Sequence, residues 1–172
     1  MEEEMENEKK GKAANTLTRK QFSILVLIIV AFSLIPSRVS ITLTPSLDKR
    51  VFLLSRSPDP RSIKKGDYIL FSIADKFPGT NRPKTEKAIK KISCVEGETI
   101  SIREKEYFCN DEFLVKAKDI SLKGEPLKNF AYEGPVPPGS YFVTAAHKDS
   151  FDSRYFGFLK QEEITAKAHP IF

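Results

Sequence analysis

Hydrophobic residues form one long run near the start of the chain and many short runs after it. The long run, residues 22–35, contains serine but no charged residue. Its fourteen residues would rise about 21 Å as a helix, against a hydrocarbon core of ~30 Å, and Lys20 and Arg38 can extend their charged ends to the membrane surface. We therefore interpret residues 20–38 as a single transmembrane anchor. A cleaved signal peptide and a buried core helix are the alternatives.

The short runs that follow are rich in β-branched and aromatic residues and show no helical period. They read, in order, "VSITLT", "RVFLLSR", "KKGDYILFSI", "KAIKKISCV", "ETISIRE", "KEYFCND", "GSYFVTAAH" and "EEITAKAHPIF". The fifth and sixth runs predict a hairpin, and residues 74–87 and 118–139 predict loops. The pattern indicates a mainly β domain over residues 39–172, tightly folded or barrel-like.

The charge pattern adds an orientation to this picture. The formal net charge is +5, but the basic residues are scattered, which disfavours a nucleic-acid partner. Basic residues are more numerous before the apolar run (Lys9, Lys10, Lys12, Arg19 and Lys20) than after it (Arg38, Lys49 and Arg50). This bias predicts a cytoplasmic N-terminus and an extracytoplasmic β domain. Residues 1–19, rich in Glu and Lys, are predicted to be a disordered charged tail.

The two cysteines, Cys94 and Cys109, lack the spacing of a metal site, so no metal is expected. An extracytoplasmic domain permits a disulfide between them, which would close a short loop. Two reduced cysteines in the core are the alternative.

Four motifs then occur in a fixed order: "TPSLDKRVF", "KGDYILF", "AIKKISCVEGE" and "SFDSRYFG". Over residues 22–172 the chain resembles the type I signal peptidases, a family of membrane-anchored Ser-Lys proteases. Leu47 and Ala88 stand where the general leader peptidases have Met and Tyr. The "TPSL" box, the compact size and "HKDSFDSRYFG" are more similar to the conjugative-transfer (TraF-like) branch, whose members process components of DNA-transfer and pilus machinery.

The resemblance implies that Ser46 is the nucleophile, and a serine at its ordinary pKa needs a base. It also implies that the hydroxyl of Thr44 and the backbone N–H of Ser46 bind the developing oxyanion. The simpler interpretations are a turn serine after Pro45 and a strand threonine.

Lys90 is the candidate general base. An ordinary lysine, with a pKa near 10.4, is protonated at neutral pH, and burial is what lowers that value. In a strand Lys90 shares a face with Ala88, Ile92 and Cys94, and that face carries no other charge. Lys91 is the alternative. In the family the base stands seven residues before a glycine, and Gly97 stands seven residues after Lys90.

The last motif supplies supporting residues rather than chemistry. The resemblance gives Ser150 the role of orienting the base lysine, and Asp152 and Arg154 that of a structural ion pair. His147 and His169 stand outside any nucleophile-elbow pattern, so a Ser-His triad is not expected.

The resemblance thus implies a membrane-anchored serine endopeptidase of a conjugative-transfer or pilus system, which removes leader or signal peptides from exported proteins through Ser46 and Lys90 without a cofactor. Its expected partners are preprotein or prepilin substrates and the lipid bilayer, and its expected location is the bacterial inner membrane with the catalytic domain outside. A general leader peptidase, a catalytically inactive anchored component of an envelope complex, and a repressor-type Ser-Lys autoprotease are the alternatives.

Overall fold

The computed structural model describes residues 18–34, 39–41, 47–76 and 86–171, and the chain divides into two compact units at residue 37. The predicted charged tail lies almost entirely outside the described residues. Among these residues, the first unit contains one helix, and the second, residues 38–172, contains the strands.

The helix of the first unit, α1, spans Arg19–Leu34 and begins one residue before the predicted anchor. Its first turn is capped reciprocally, since the Thr18 backbone N–H donates to the Gln21 side chain at 3.0 Å and the Gln21 N–H donates to the Thr18 hydroxyl at 3.4 Å. Its apolar side chains from Phe22 to Val30 are exposed. Among the described residues, no helix combines the length and the apolar character needed to cross a membrane, and the anchor stays a prediction.

The second unit is mainly β, as predicted, and its larger sheet has seven strands, all antiparallel to their neighbours. The order across the sheet is β1, β2, β11, β3, β4, β9, β10. These strands span Val39–Ile41 (β1), Val51–Arg56 (β2), Tyr68–Ser72 (β3), Lys87–Val95 (β4), Ser140–Thr144 (β9), Leu159–Lys160 (β10) and Ile164–Pro170 (β11). In the described part of the chain the two end strands do not pair with each other, so this sheet is open rather than a closed barrel.

A smaller antiparallel sheet has the order β7, β6, β5, β8. Its strands span Thr99–Arg103 (β5), Glu106–Cys109 (β6), Glu112–Lys116 (β7) and Gly134–Pro135 (β8). Two-residue turns with positive φ, Glu104–Lys105 and Asn110–Asp111, connect β5 to β6 and β6 to β7. Such turns match the twist of the strands they join, and Asn and Asp tolerate positive φ well. Sequence patterning predicted the first hairpin, whereas β7 was not among the predicted strands.

Both faces of the larger sheet are covered by buried side chains. Adjacent residues of β3 belong to two different hydrophobic clusters, one on each face: Leu70 packs with Ile89, and Ile69 packs with Ile92. A third cluster joins the two sheets, where Phe142 of β9 stacks on Tyr107 of β6 with 5.5 Å between ring centroids. The small sheet is therefore packed against the two strands, β4 and β9, that adjoin the candidate site.

The backbone at Gly157 yields a test of how closely the loop around Phe130 packs against it. Gly157 has φ of 81°, and a Cβ there would lie 2.7 Å from Cε2 of Phe130. Gly97 has nearly the same φ, 80°, with nothing within 4 Å of a Cβ. Gly97→Ala is expected to cost about 1–2 kcal/mol of folding free energy from backbone strain alone. Gly157→Ala is expected to cost about 1–3 kcal/mol more, because its ψ of −148° lies in a region that essentially only glycine adopts and because its Cβ overpacks. Urea unfolding measures both, and equal losses would contradict the close contact.

Candidate active site

Lys90 is a buried lysine in the middle of β4. It is 5% exposed, and its backbone pairs with Ile69 of β3. Its Nζ donates to Oγ of Ser150 at 2.5 Å, and Ser150 is itself 4% exposed. The structure thus brings together two of the predicted site residues that stand sixty positions apart in the sequence.

Burial is also what changes the acid–base behaviour of this lysine. Desolvation lowers the pKa of Lys90 from 10.5 to about 8; the Asp152 carboxylate acts in the opposite direction, and the Arg154 guanidinium adds to the lowering. An amine with a pKa near 8 is partly neutral at neutral pH, so it can accept a proton. The neighbouring Lys91 is exposed and lacks this environment.

A β-bulge in β4 corrects one part of the predicted strand pattern. Ile92 pairs with Val143 of β9, but Cys94 pairs with Phe142, so one extra residue, Ser93, is inserted between them. Val143 and Phe142 point to opposite faces of the sheet, and partners in a pair share a face. The prediction that Cys94 shares the face of Lys90 and Ile92 is therefore wrong, because the bulge reverses the alternation.

Ser150 lies at the end of a tight loop that follows β9. Its backbone N–H donates to the carbonyl of His147 at 3.0 Å, and its own carbonyl accepts from Nη2 of Arg154 at 3.0 Å. Both ends of the residue are thus fixed by the loop around it. This fixes the hydroxyl that contacts Lys90.

Asp152 and Arg154 form a fully buried ion pair beside this loop. The Nε and Nη2 of Arg154 each donate to the Asp152 carboxylate at 2.8 Å, and the two side chains are 1% and 0% exposed. Arg154 also donates to the carbonyl of Lys116 at 2.7 Å. Asp152 accepts from the backbone N–H of Ala145 at 3.1 Å and caps the short helix α2, Ser153–Phe156. The pair holds the loop, β9 and the small sheet in one arrangement.

The predicted nucleophile Ser46 and the oxyanion residue Thr44 lie outside the described residues. The description resumes at Leu47, which is buried among Leu54, Leu70 and Ile89. The next residue, Asp48, accepts from the Tyr68 hydroxyl at 3.0 Å. Burial and this carboxylate raise the pKa of Tyr68 to about 12. The chain directly after Ser46 is thus tied to β3, the strand adjacent to Lys90.

Cys94 and Cys109 form a disulfide that links β4 to β6, with both residues fully buried and 5.8 Å between their Cα atoms. Glu98 lies close to both sulfur atoms, which makes these three residues the one potential metal-binding group among the described residues. Metal binding by cysteine needs free thiolates, and the disulfide removes both. The bond attaches the small sheet to the strand that carries Lys90.

Other residues with candidate chemistry have structural partners. Asp67 pairs with Lys167 at 2.7 Å and accepts from the Lys64 backbone N–H. His169 lies on β11 opposite Leu53, and His147 accepts from the Asp149 N–H at 3.2 Å.

Three contacts of the site were not visible to sequence reasoning. Tyr68 reaches Asp48, Tyr107 donates to the carbonyls of Phe130 and Arg154, and Lys118 pairs with Asp149. All three are long-range contacts, so a local pattern does not reveal them. The sequence did contain a local signal for the strand that precedes Lys118. The Asn-Asp pair before β7 favours a tight turn, and so predicts a second hairpin next to the site.

The described residues thus contain a buried lysine amine of lowered pKa, held by a serine hydroxyl and able to accept a proton. Residues 15–172 match the family model described as "Signal peptidase, peptidase S26". The match covers most of the chain, which therefore belongs to this family of peptidases. The family assignment made from the four motifs is confirmed.

Two individual proteins show the range of the similarity. The chain is 31% identical over 87 residues to a "Conjugal transfer protein TraF" from Agrobacterium fabrum strain C58, across 49% of this chain and 48% of the relative. The matched segment spans about half the length of that curated relative. A crystal structure of a signal peptidase I from Enterococcus faecalis V583 aligns with a TM-score of 0.40 and 25% identity, over 62% of this chain and 96% of that chain.

The buried ion pair generates a stability prediction. Asp152→Asn keeps the side-chain shape but leaves the Arg154 guanidinium without its counter-charge, which is expected to cost about 3 kcal/mol of folding free energy. The control is Asp111→Asn, because Asp111 pairs with Arg103 at 2.7 Å with both side chains exposed. The control is expected to cost at most ~1 kcal/mol in urea unfolding. Similar losses in the two variants would mean that the buried pair has no special role.

The buried amine predicts how stability depends on pH. Between pH 8 and 10.5 the unfolded chain binds a proton at Lys90 that the folded chain has lost, so wild-type stability rises with pH across this window. Below pH 8 both states are protonated, and the folded state carries the full cost of a buried ammonium, on the order of 3 kcal/mol. Lys90→Met is therefore expected to unfold at higher temperature than wild type at pH 7, with an advantage that shrinks towards pH 10.5.

The exposed neighbour Lys91 is the matched control for that measurement. Lys91→Met is expected to change the free energy of unfolding by no more than about 0.5 kcal/mol, as surface substitutions do. If Lys90→Met were destabilised at pH 7 and the difference did not change with pH, the lysine would not be buried as an amine of lowered pKa.

Proposed function

We propose that this peptidase is a membrane-anchored signal peptidase of a conjugative-transfer or pilus system, which cleaves leader peptides from exported proteins with Ser46 as nucleophile and Lys90 as general base. The catalytic domain faces the outside of the bacterial inner membrane. The observation that carries the proposal is the buried Lys90 amine, with its lowered pKa and its contact to Ser150.

The reaction follows from these groups. The neutral Lys90 amine takes the proton of the Ser46 hydroxyl as its oxygen attacks the scissile carbonyl, and the lysine then gives the proton to the departing amine. The Thr44 hydroxyl and the Ser46 backbone N–H stabilise the charge that develops on the carbonyl oxygen. Lys90 next takes a proton from a water molecule as that water attacks the acyl-enzyme carbonyl. The bond to the Ser46 oxygen then breaks, Lys90 returns the proton to that oxygen, and the leader leaves with a free carboxylate. Ser150 holds the lysine in position through both steps.

The substrate class and the location rest on separate observations. The similarity to a protein named for conjugal transfer supports substrates that belong to a transfer system. The exposed apolar side chains of α1 suit a lipid environment, and basic residues precede it in greater number than follow it. Both features agree with an anchored enzyme that meets its preprotein or prepilin substrates at the membrane surface.

Cleavage of candidate prepilins and preproteins by purified full-length protein in detergent tests this function. Ser46→Ala and Lys90→Ala are each expected to lower kcat by at least about 1,000-fold, because nucleophile and base act as a unit. Ser150→Ala is expected to lower kcat by as much as about 100-fold in a domain that still folds, since a lysine displaced from its position transfers protons less efficiently.

The pH dependence of the wild-type reaction is a further measurement. Its kcat/KM should rise with pH up to about 8 and then level off.

Lys91→Ala is the matched control, because it removes an exposed lysine from the adjacent position of the same strand. It is expected to keep wild-type activity. Undiminished cleavage by Ser46→Ala or Lys90→Ala would exclude the Ser-Lys mechanism. Absence of cleavage by wild type with every transfer-system substrate, together with cleavage of general preproteins, would make the protein a general leader peptidase.

A further inference from the structure

The segment that follows β7 contacts the loop that carries Ser150. The carbonyl of Lys116 accepts from Arg154 Nη1 at 2.7 Å, and the backbone N–H of Lys118 donates to the Tyr155 hydroxyl at 3.1 Å. The Lys118 ammonium forms an ion pair with the Asp149 carboxylate. Residues 116–118 therefore contact that loop and the helix after it at three points.

The Lys118–Asp149 pair acts on the residue directly before Ser150. The Asp149 side chain is 12% exposed and that of Lys118 is 38% exposed, so the pair closes over the loop at the protein surface. On the inner side, Arg154 donates to the Ser150 carbonyl at 3.0 Å. The loop is thus held from the inside by Arg154 and from the outside by Lys118.

The small sheet that presents Lys118 is in turn attached to the strand of Lys90. Lys118 follows β7, β7 pairs with β6, and β6 ends at Cys109, which is bonded to Cys94 of β4. A closed chain of contacts then runs from β4 through the disulfide, the small sheet, Lys118 and the Ser150 loop back to the Lys90 amine. The disulfide and the Lys90–Ser150 contact are buried, whereas the Lys118–Asp149 pair lies at the surface.

We propose that Lys118 is a positioning residue of the peptidase: by pairing with Asp149 it holds the Ser150 loop closed, and so keeps Lys90 dehydrated and correctly placed. This inference rests on the proposed function, because it requires Lys90 to be the general base. It assigns a catalytic consequence to the small sheet, which contributes no reacting group.

A test of Lys118 must separate the loss of its position from the loss of its charge, since charged groups lie near both Asp149 and Lys90. Asp149 faces Lys118, Lys148 and His147, and the hydrogen bond from Lys118 is the main cause that lowers the pKa of its carboxyl group. Lys90 faces Asp152 and Arg154. Loss of Lys118 would admit water to the loop and raise the pKa of Lys90, but the removal of one positive charge would also raise it slightly.

The test compares Lys118→Met with Lys105→Met in the full-length enzyme. Lys105 is the matched control, because it forms an exposed ion pair with Asp119 at 2.5 Å, between the β5–β6 turn and the segment after β7, and does not contact the Ser150 loop in the described structure. Lys118→Met is expected to lower kcat about tenfold and to leave KM within about a factor of two of wild type. The rising limb of its profile of kcat/KM against pH is expected to move to higher pH by about half a unit or more. Lys105→Met should leave all three as in wild type.

Two more variants separate position from charge. The double variant Lys118→Met/Asp149→Asn removes both charges, so the net charge near the site is that of wild type, and the loss of kcat and the shifted limb should persist. Lys118→Arg keeps a cation with donors for Asp149 and is expected to keep at least about half of kcat. Melting temperatures of all variants show that the domain is folded at the assay temperature.

Several results would overturn the inference: a Lys118→Met enzyme that behaves like Lys105→Met, a limb that returns to its wild-type position in the double variant, or a loss in Lys118→Arg equal to that in Lys118→Met. Failure of the proposed function looks different, because Lys90→Ala or Ser46→Ala would then remain active whatever the Lys118 variants do.

Discussion

The arrangement of this domain depends on keeping one lysine amine out of water. Dehydration gives Lys90 its pKa of about 8, and the same dehydration costs folding free energy whenever the amine is protonated. The surrounding structure must therefore enclose Lys90 and resist its tendency to draw in solvent. Strands on both sides of β4, the Ser150 loop and the packed faces of the larger sheet provide that enclosure.

The buried Asp152–Arg154 pair explains why the enclosure stays closed. Arg154 satisfies its donors on a carboxylate and on three backbone carbonyls, those of Lys116, His147 and Ser150. A charged pair this deep contributes little net stability compared with apolar packing, but it is very specific about geometry, because any displacement leaves a charge unpaired. The pair thus fixes the loop in one conformation, and the position of the Ser150 hydroxyl follows from it.

Most of the strands were predictable because β-branched and aromatic runs bounded by turn residues reflect local chemistry. The four motifs gave the family, and with it Lys90, Ser150, Asp152 and Arg154. Local pattern failed where a tertiary constraint decides. The bulge at Ser93 reverses the faces of β4, and the Lys118–Asp149 contact joins positions that no sequence period relates. β7 was missed because its apolar run, residues 113–115, is only three residues long and lies between charges. Ser46 and Thr44 rest on the family resemblance.

The extra residue at Ser93 lets a single strand serve two different layers. Before it, β4 presents Lys90 to the layer where proton transfer is proposed, and after it the strand presents Cys94 to the layer that attaches the small sheet. Deletion of Ser93 would move every later residue of β4 to the opposite face of the sheet. The Cys94 sulfur would then point towards the layer of Lys90, and the small sheet would lose its covalent attachment.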